Sequence, residues 1–197
     1  PNASQVNLVL NPLAFADGGN YTCVVTNGGS SDTTSTIAVT VNALPTANAG
    51  ADQSICAGQS ATLNASGGSA YSWNQGLGSG ATQNVSPAAT TTYSVTVTNA
   101  NNCTDTDDVT ITVNALPTVS FSGLASTYCT TDPSVSLLGS PSGGIFSGAG
   151  ISGNNFDPAN AGPGIHPVQY VFTDANNCSD SSSVVTEVSV CIGISSA

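Results

Sequence analysis

Few side chains of this 197-residue chain could carry out chemistry, and they are poorly placed for catalysis. His166 is the only imidazole, and it lies between Ile165 and Pro167 with no Cys or Glu nearby to complete an acid–base pair or a metal shell. Lys and Arg, which commonly stabilise an oxyanion or a phosphate, are absent from the whole sequence. We therefore expect a structural role for His166, no catalytic residues and no cofactor.

Three aspartates, Asp105, Asp107 and Asp108, follow Cys103 in the stretch CTDTDD. Carboxylate oxygens are preferred ligands of Ca²⁺, so these three residues are candidate ligands of a weak calcium site. No Gly and no distal Glu complete an EF-hand loop around them. The alternative is an acidic turn whose carboxylates are solvated.

The stretch GAGISG at 148–153 has the glycine spacing of a dinucleotide-binding loop. Such a loop needs a helix directly after it, because the helix N-terminus receives the pyrophosphate. The residues that follow, NNFDPANAGPGIHP, contain three prolines and are not expected to form a helix. We therefore interpret GAGISG as a turn.

The elements that position these groups are predicted to be strands. Apolar residues alternate with polar ones, as in TTYSVTVTN, where Tyr93, Val95 and Val97 share one face. No segment shows a convincing period of 3.6 residues, and strong helix formers are scarce. The predicted fold class is all-β.

Repeated stretches divide the chain into tandem units. VNALPT occurs at 41–46 and 113–118, and TNANNC at 98–103 returns as TDANNC at 173–178. Short strands with Gly, Pro or Asn turns in units of this size suggest small immunoglobulin-like β-sandwiches. The sequence therefore predicts the C-terminal part of such a domain at 1–43, complete domains at 44–115 and 116–191, and a tail at 192–197.

Each complete unit contains two cysteines at a similar spacing. Cys56 and Cys103 are 47 residues apart, and Cys129 and Cys178 are 49 apart. We predict the disulfides Cys56–Cys103 and Cys129–Cys178, each closing one end of a sandwich. A metal site is the alternative, but C-x-x-C spacing and His partners are lacking. Disulfides indicate an oxidising, extracellular compartment.

Cys23 and Cys191 are left over. The stretch AFADGGNYTC resembles the corner leading into strand F of an immunoglobulin domain, where a Tyr lies two residues before the second Cys of the inter-sheet disulfide. Here these residues are Tyr21 and Cys23, and no Cys precedes Cys23. One hypothesis bonds Cys23 of one molecule to Cys191 of the next. The other leaves Cys191 free and places the partner of Cys23 in a segment outside this chain.

The charge of the chain excludes two classes of partner. A net charge of −11 without any cationic side chain cannot neutralise phosphates, so nucleic-acid binding is not expected, and anionic membrane surfaces are disfavoured. No apolar run approaches about 18 residues, so membrane insertion is not expected either.

Three stretches resemble the tandem immunoglobulin-like and PKD-like repeats of very large secreted surface proteins of Bacteroidota. That group includes gliding-motility adhesins and proteins exported by type IX secretion. The stretches are ALPTANAGADQSICAGQSATLNASGGSAYSWNQG, SPAATTTYSVTVTNANNCTDT and LLGSPSGGIFSGAGISGNNFDPANAGPGIHPVQYVFTDANNCSD, within residues 44–191. The resemblance implies an extracellular stalk, adhesin or fibre role. DTT at 32–34 also resembles the O-glycan acceptor of Bacteroidota, which makes Thr33 a candidate glycosylation site.

We therefore expect a non-enzymatic extracellular structural protein, a stalk or fibre subunit of a bacterial cell-surface adhesin or filament. Its partners would be neighbouring copies of itself or upstream repeats. Lys, which commonly protects edge strands, is absent, and an incomplete first unit would expose Val6, Leu8 and Leu10 as strand residues, which favours self-assembly by strand complementation.

The alternative function is a carbohydrate- or protein-binding accessory module that binds a glycan or cell-surface ligand. Trp73 would then be an exposed aromatic platform for a sugar. The other interpretation makes Trp73 the core Trp of strand C, packed on the disulfide.

Overall fold

The computed structural model describes residues 8–191, and nearly all of its regular structure is β-strand. This confirms the all-β prediction. One helical turn, α1 at Pro158–Ala161, lies in the stretch where we expected no helix. It forms because Asp157 caps it, accepting from the backbone N–H of Ala159 at 2.9 Å, and because Pro158 occupies a first-turn position that needs no N–H donor.

The first repeat consists of one interrupted antiparallel hairpin. The strand β1 pairs with β4, and β2 pairs with β3. Leu8 and Leu10 lie outside these strands, so their prediction as strand residues is wrong, and Val6 is outside the described residues. The strands are β1 Gly19–Tyr21, β2 Val24–Asn27, β3 Ser30–Thr33 and β4 Ile37–Val39.

The second repeat has two sheets. One has the strand order β5-β10-β9-β7, in which β5 runs parallel to β10, and the other pairs β6 with β8. The strands are β5 Gln53–Cys56, β6 Ala61–Asn64, β7 Ala70–Trp73, β8 Thr82–Val85, β9 Thr91–Thr98 and β10 Thr104–Asn114.

The third repeat has the same principal sheet with additional short strands. Its four-stranded sheet has the order β12-β19-β18-β15, again with a parallel pair, β12 and β19. Two smaller sheets have the orders β11-β14 and β13-β17-β16. The strands are β11 Ser120–Ser122, β12 Thr127–Cys129, β13 Val135–Ser136, β14 Leu138–Ser140, β15 Ile145–Ser147, β16 Ile151–Ser152, β17 Asn155–Phe156, β18 Gly164–Thr173 and β19 Ser179–Ser189.

The chain packs as two compact units whose limits do not follow the repeats. One unit holds the described residues up to Ala51 with Thr62–Asn84 and Thr92–Val109, and the other holds Asp52–Ala61, Val85–Thr91 and the described residues from Thr110. The repeat boundaries 1–43, 44–115 and 116–191 stay a prediction, and the tail at 192–197 is outside the described residues.

Each unit has its own buried apolar residues. In the first, the alternating residues of β9 that the sequence placed on one face, Tyr93, Val95 and Val97, are buried. In the second, an aromatic cluster forms the core, and Phe146 lies with its ring centroid 4.5 Å from that of Tyr170. Gly144 lies against the Tyr170 ring and the Val171 carbonyl where a Cβ would collide, so a glycine at this position makes room for the aromatic core.

Thr186 offers a stability test of the second unit. It is buried in β19, and its hydroxyl has no hydrogen-bond partner among residues 8–191. A buried hydroxyl without a partner costs free energy, so Thr186→Val should raise the free energy of unfolding by about 1 kcal/mol. The matched control is Thr173→Val, since the exposed Thr173 hydroxyl bonds Ser179 at 2.8 Å. Equal changes in urea midpoint for the two variants would contradict this account.

Candidate functional site

The cysteines of the second repeat are separated by the length of a strand. Parallel pairing places Cys56 beside Asn114, the last residue of β10, whereas Cys103 directly precedes Thr104, its first residue. Ten residues of strand span roughly 33 Å, while a disulfide needs Cα atoms within about 7 Å. The predicted Cys56–Cys103 disulfide is therefore wrong.

The same geometry excludes the second predicted pair. Cys129 lies beside Ser189 at the end of β19, and Cys178 directly precedes Ser179 at its start. The predicted Cys129–Cys178 disulfide is wrong for the same reason. The prediction places both cysteines of a unit at one end of the sandwich, whereas the first strand runs parallel to the last and therefore carries its cysteine to the opposite end.

The structure forms two other disulfides. Cys56 bonds Cys178, with Cα atoms 5.6 Å apart and a sequence separation of 122, and Cys129 bonds Cys191, with Cα atoms 5.3 Å apart and a separation of 62. The first bond thus links the second repeat to the third, within one compact unit. Cys191 is bonded within its own chain, so both hypotheses for it, free or bonded to Cys23 of another molecule, are contradicted.

Cys56 and Cys129 are strand-end cysteines that start the same kind of turn. The Cys56 N–H donates to the Gln59 side chain at 3.4 Å, and the Cys129 N–H donates to the Asp132 carboxylate at 2.7 Å. In both, the N–H of the fourth turn residue donates back to the Cys carbonyl at 3.0 Å. Cys56 and Cys129 therefore occupy equivalent backbone positions in the second and third repeats.

Cys103 and Cys178 are turn cysteines, and their two turns match closely. Asn99 Oδ1 accepts from the Cys103 N–H at 3.0 Å, and Asp174 Oδ1 accepts from the Cys178 N–H at 2.9 Å. The residue before each Cys is an Asn with positive φ, 60° for Asn102 and 62° for its counterpart. Despite this match, Cys178 is fully buried in a disulfide, whereas Cys103 is a half-buried free thiol.

The first repeat exposes the face that the second repeat buries. Residues 21–46 align with residues 93–118 without a gap, and this alignment places Ile37 over Val109. The Ile37 side chain is 64% exposed, whereas that of Val109 is 1% exposed. Cys23, a free exposed thiol, likewise aligns with the buried Val95. A groove of about 550 Å³ results, lined in part by Leu8, Leu10, Tyr21, Cys23, Ile37 and Val39.

Tyr21 forms the tyrosine corner that the stretch AFADGGNYTC suggested. Its hydroxyl donates to the backbone carbonyl of Asp17 at 2.7 Å, four residues upstream, as expected for a tyrosine corner of an immunoglobulin domain. The first repeat therefore has the local structure of a strand F entry without a facing sheet in residues 8–43.

The aspartates of CTDTDD are used inside the fold. Asp105 accepts from the Ala47 N–H at 3.0 Å, and Asp107 accepts from the Ala49 N–H at 2.8 Å, while Asp108 is exposed on β10. Within residues 8–191, no group of three or more acidic, His or Cys side chains is arranged to hold a metal ion. The two carboxylates fix the segment before β5 to the edge of β10. Thr33 is exposed on β3, and its glycosylation stays a prediction.

Trp73 and His166 have structural roles. Trp73 is 4% exposed, and its indole N–H donates to the Gly80 carbonyl at 2.9 Å, so it is a core residue and no sugar platform. The Cys56–Cys103 bond on which it was expected to pack does not exist. His166 Nε2 lies 2.8 Å from the Gly162 carbonyl oxygen. GAGISG forms turns and the short strand β16, with no helix directly after it.

Comparisons with known proteins show tandem immunoglobulin-like structures. No protein-family model matches the sequence, and no curated protein matches it. The chain is similar to Sidekick-1 immunoglobulin domains 1–4 (12% identity, TM-score 0.34, spanning 90% of this chain and 60% of that one). It is also similar to the insect immune protein hemolin (12%, 0.37, 91% and 58%) and to a Ca²⁺-stabilised adhesin with which an Antarctic bacterium binds ice (14%, 0.41, 89% and 58%).

All three TM-scores lie below 0.5, so the strand pairings of the chain itself carry the fold assignment. No helix in residues 8–191 has the length and apolar character needed to cross a membrane. The chain is thus a series of immunoglobulin-like β-sandwich repeats, of which the first is incomplete within the described residues.

Proposed function

We propose that this chain is a non-enzymatic structural segment of an extracellular stalk or fibre, part of a bacterial cell-surface adhesin or filament. The observation that carries the proposal is the Cys56–Cys178 disulfide, which joins consecutive repeats by a second covalent connection besides the main chain. A connection of this kind serves spacing and resistance to extension. The disulfides also support an oxidising compartment outside the cell. The sequence resemblance to Bacteroidota surface repeats fits this role.

The carbohydrate-binding alternative depended on an exposed Trp73. Its burial removes the residue that would have formed the sugar platform.

Single-molecule stretching from the two termini tests the structural role. In the oxidised protein, the segment between Cys56 and Cys178 should not contribute length, because the disulfide bypasses it. Reductant should release the 122-residue span and add about 400 Å of contour length, at roughly 3.3–3.6 Å per residue. The double variant Cys56→Ser/Cys178→Ser should gain length without reductant, except for the span that Cys129–Cys191 still shields. Equal extension with and without reductant would contradict the proposal.

The open first repeat is proposed to be completed by a strand from a neighbouring copy or another repeat. Its exposed apolar face should then cause concentration-dependent association, measured by sedimentation velocity. Ile37→Asp should weaken this association, because Ile37 lies in the groove at 64% exposure. The matched control is Ile165→Asp, at an exposed apolar position of β18 outside the groove. Association that is absent at high concentration, or equal in both variants, would contradict strand complementation.

A further inference from the structure

We propose that residues 39–42, which begin at the last residue of β4, and Cys103 together form a docking site for a cysteine-ended β-strand. The strand pairs in parallel with residues 39–42 and forms a disulfide with Cys103. The strand is the first strand of a further repeat of this type, outside the 197 residues of this chain. This inference rests on the proposed role in strand complementation and deepens it, because it names the chemistry of the missing strand and the residue that captures it.

The two complete repeats define what the missing strand looks like. In each, the first strand pairs in parallel with the last strand and ends in a cysteine, Cys56 beside Asn114 and Cys129 beside Ser189. In the first repeat, β4 aligns with 109–111 of β10, and residues 39–42 align with 111–114, the part of β10 that pairs with β5. The only sheet partner of β4 among residues 8–191 is β1. The position that corresponds to β5 is therefore open. A strand there, in the register of β5, would place its cysteine beside Asn42.

A cysteine at that position would lie where a turn cysteine can bond it. The strand-end Cys56 bonds the turn cysteine of the repeat that follows, Cys178. Cys103 is the turn cysteine of the repeat that follows β4, in a turn with the same hydrogen bonds as that of Cys178. The end of the first repeat already contacts this turn, since Asn99 Nδ2 donates to the Ala43 carbonyl at 2.8 Å.

The cysteines of the chain itself do not supply this strand. Cys56 and Cys129, the two that end such strands, are both in disulfides. Cys129 occupies in the third repeat the position that Cys56 occupies in the second. Cys56 bonds a cysteine of the next repeat, whereas Cys129 bonds Cys191. The repeating pattern of bonds is thus complete at Cys129 and has one vacant position, at Cys103.

The bond would form by thiol–disulfide exchange. The Cys103 thiolate attacks the strand's cysteine sulfur, which carries a small-molecule thiol as a mixed disulfide. A new S–S bond joins the two cysteines, the old S–S bond breaks, and the leaving thiolate takes the electron pair and then a proton. The oxidant is therefore a disulfide.

The chain's own residues 50–58, GADQSICAG, are a suitable probe because they contain β5 and Cys56. We would add this peptide as its mixed disulfide with thionitrobenzoate to the oxidised 197-residue protein. Thiol release gives the rate, and peptide mapping by mass spectrometry gives the site. Capture by Cys103 should be at least tenfold faster than with a reversed peptide, GACISQDAG, and should disappear in Cys103→Ser but not in Cys23→Ser.

Thr40 provides a variant that separates docking from thiol reactivity. Thr110 donates its N–H to Asp52 and Asn114 accepts from the Ala57 N–H, so these alternate residues of β10 face β5. Thr40 aligns with Thr112 between them, so its N–H should face the incoming strand. Thr40→Pro removes this donor and should slow capture of the peptide severalfold, while the reaction of Cys103 with glutathione disulfide stays unchanged. Thr40→Ala keeps the donor and should react like the parent protein.

Three results would overturn the inference. The first is equal rates for the forward and reversed peptides, and the second is preferential capture at Cys23. The third is a reduction-sensitive dimer of this chain through Cys103, since a second copy would then be the partner. All three leave the stretching experiment unaffected, so a failure here is distinguishable from a failure of the stalk proposal.

Discussion

Replacing Cys56 and Cys178 together by Ser should lower the free energy of unfolding of the unit that contains them by about 5 kcal/mol. The bond closes a loop with a sequence separation of 122, and in the chain-entropy model a loop of this length restricts the unfolded chain by about that amount. Both cysteines are buried, so each loses contacts as well as the bond. The measurement is guanidinium unfolding followed by far-ultraviolet circular dichroism.

The control for this variant is Cys23→Ser/Cys103→Ser, which removes the two thiols that are free in the structure. Its unfolding midpoint should stay close to that of the parent protein. Equal losses in both double variants, or a peptide map of the parent protein that connects Cys56 to Cys103, would show that the disulfide assignment is wrong.

Trp73→Ala should destabilise the first unit by about 3–5 kcal/mol. The substitution leaves a large cavity in a buried site and deprives the Gly80 carbonyl of its indole donor. Trp73→Phe fills most of the cavity and should cost less. Because Trp73 is the only Trp of the chain, unfolding of these variants has to be followed by circular dichroism or calorimetry.

Phe15→Ala is the matched control for Trp73→Ala, since Phe15 is an exposed aromatic residue of the same unit. It should change the free energy of unfolding by no more than about 0.5 kcal/mol. A Trp73→Ala protein as stable as this control would place Trp73 at the surface and restore the sugar-platform interpretation.

Local patterns in the sequence determined the strands of this protein. Alternation at Tyr93, Val95 and Val97 requires one buried face, because successive side chains of a strand point to opposite sides. The matching turns around Cys103 and Cys178 follow from identical local residues, ANNC after an Asn or Asp whose side chain caps the turn. Strand alternation and turn capping depend only on residues close together in the sequence, so they can be predicted without knowing the rest of the fold.

The pairing of the cysteines was decided by the tertiary structure alone. Equal spacings of 47 and 49 residues suggested one bond per repeat, but spacing along the chain does not reveal at which end of a sandwich a cysteine lies. That depends on the parallel pairing of β5 with β10 and of β12 with β19, which places Cys56 and Cys129 a full strand away from the predicted partners.

The exposure of Ile37 is likewise decided by the tertiary structure. The segment around Ile37 resembles the segment around the buried Val109, so local sequence does not distinguish the two positions. Ile37 contacts solvent because no sheet faces it among residues 8–43.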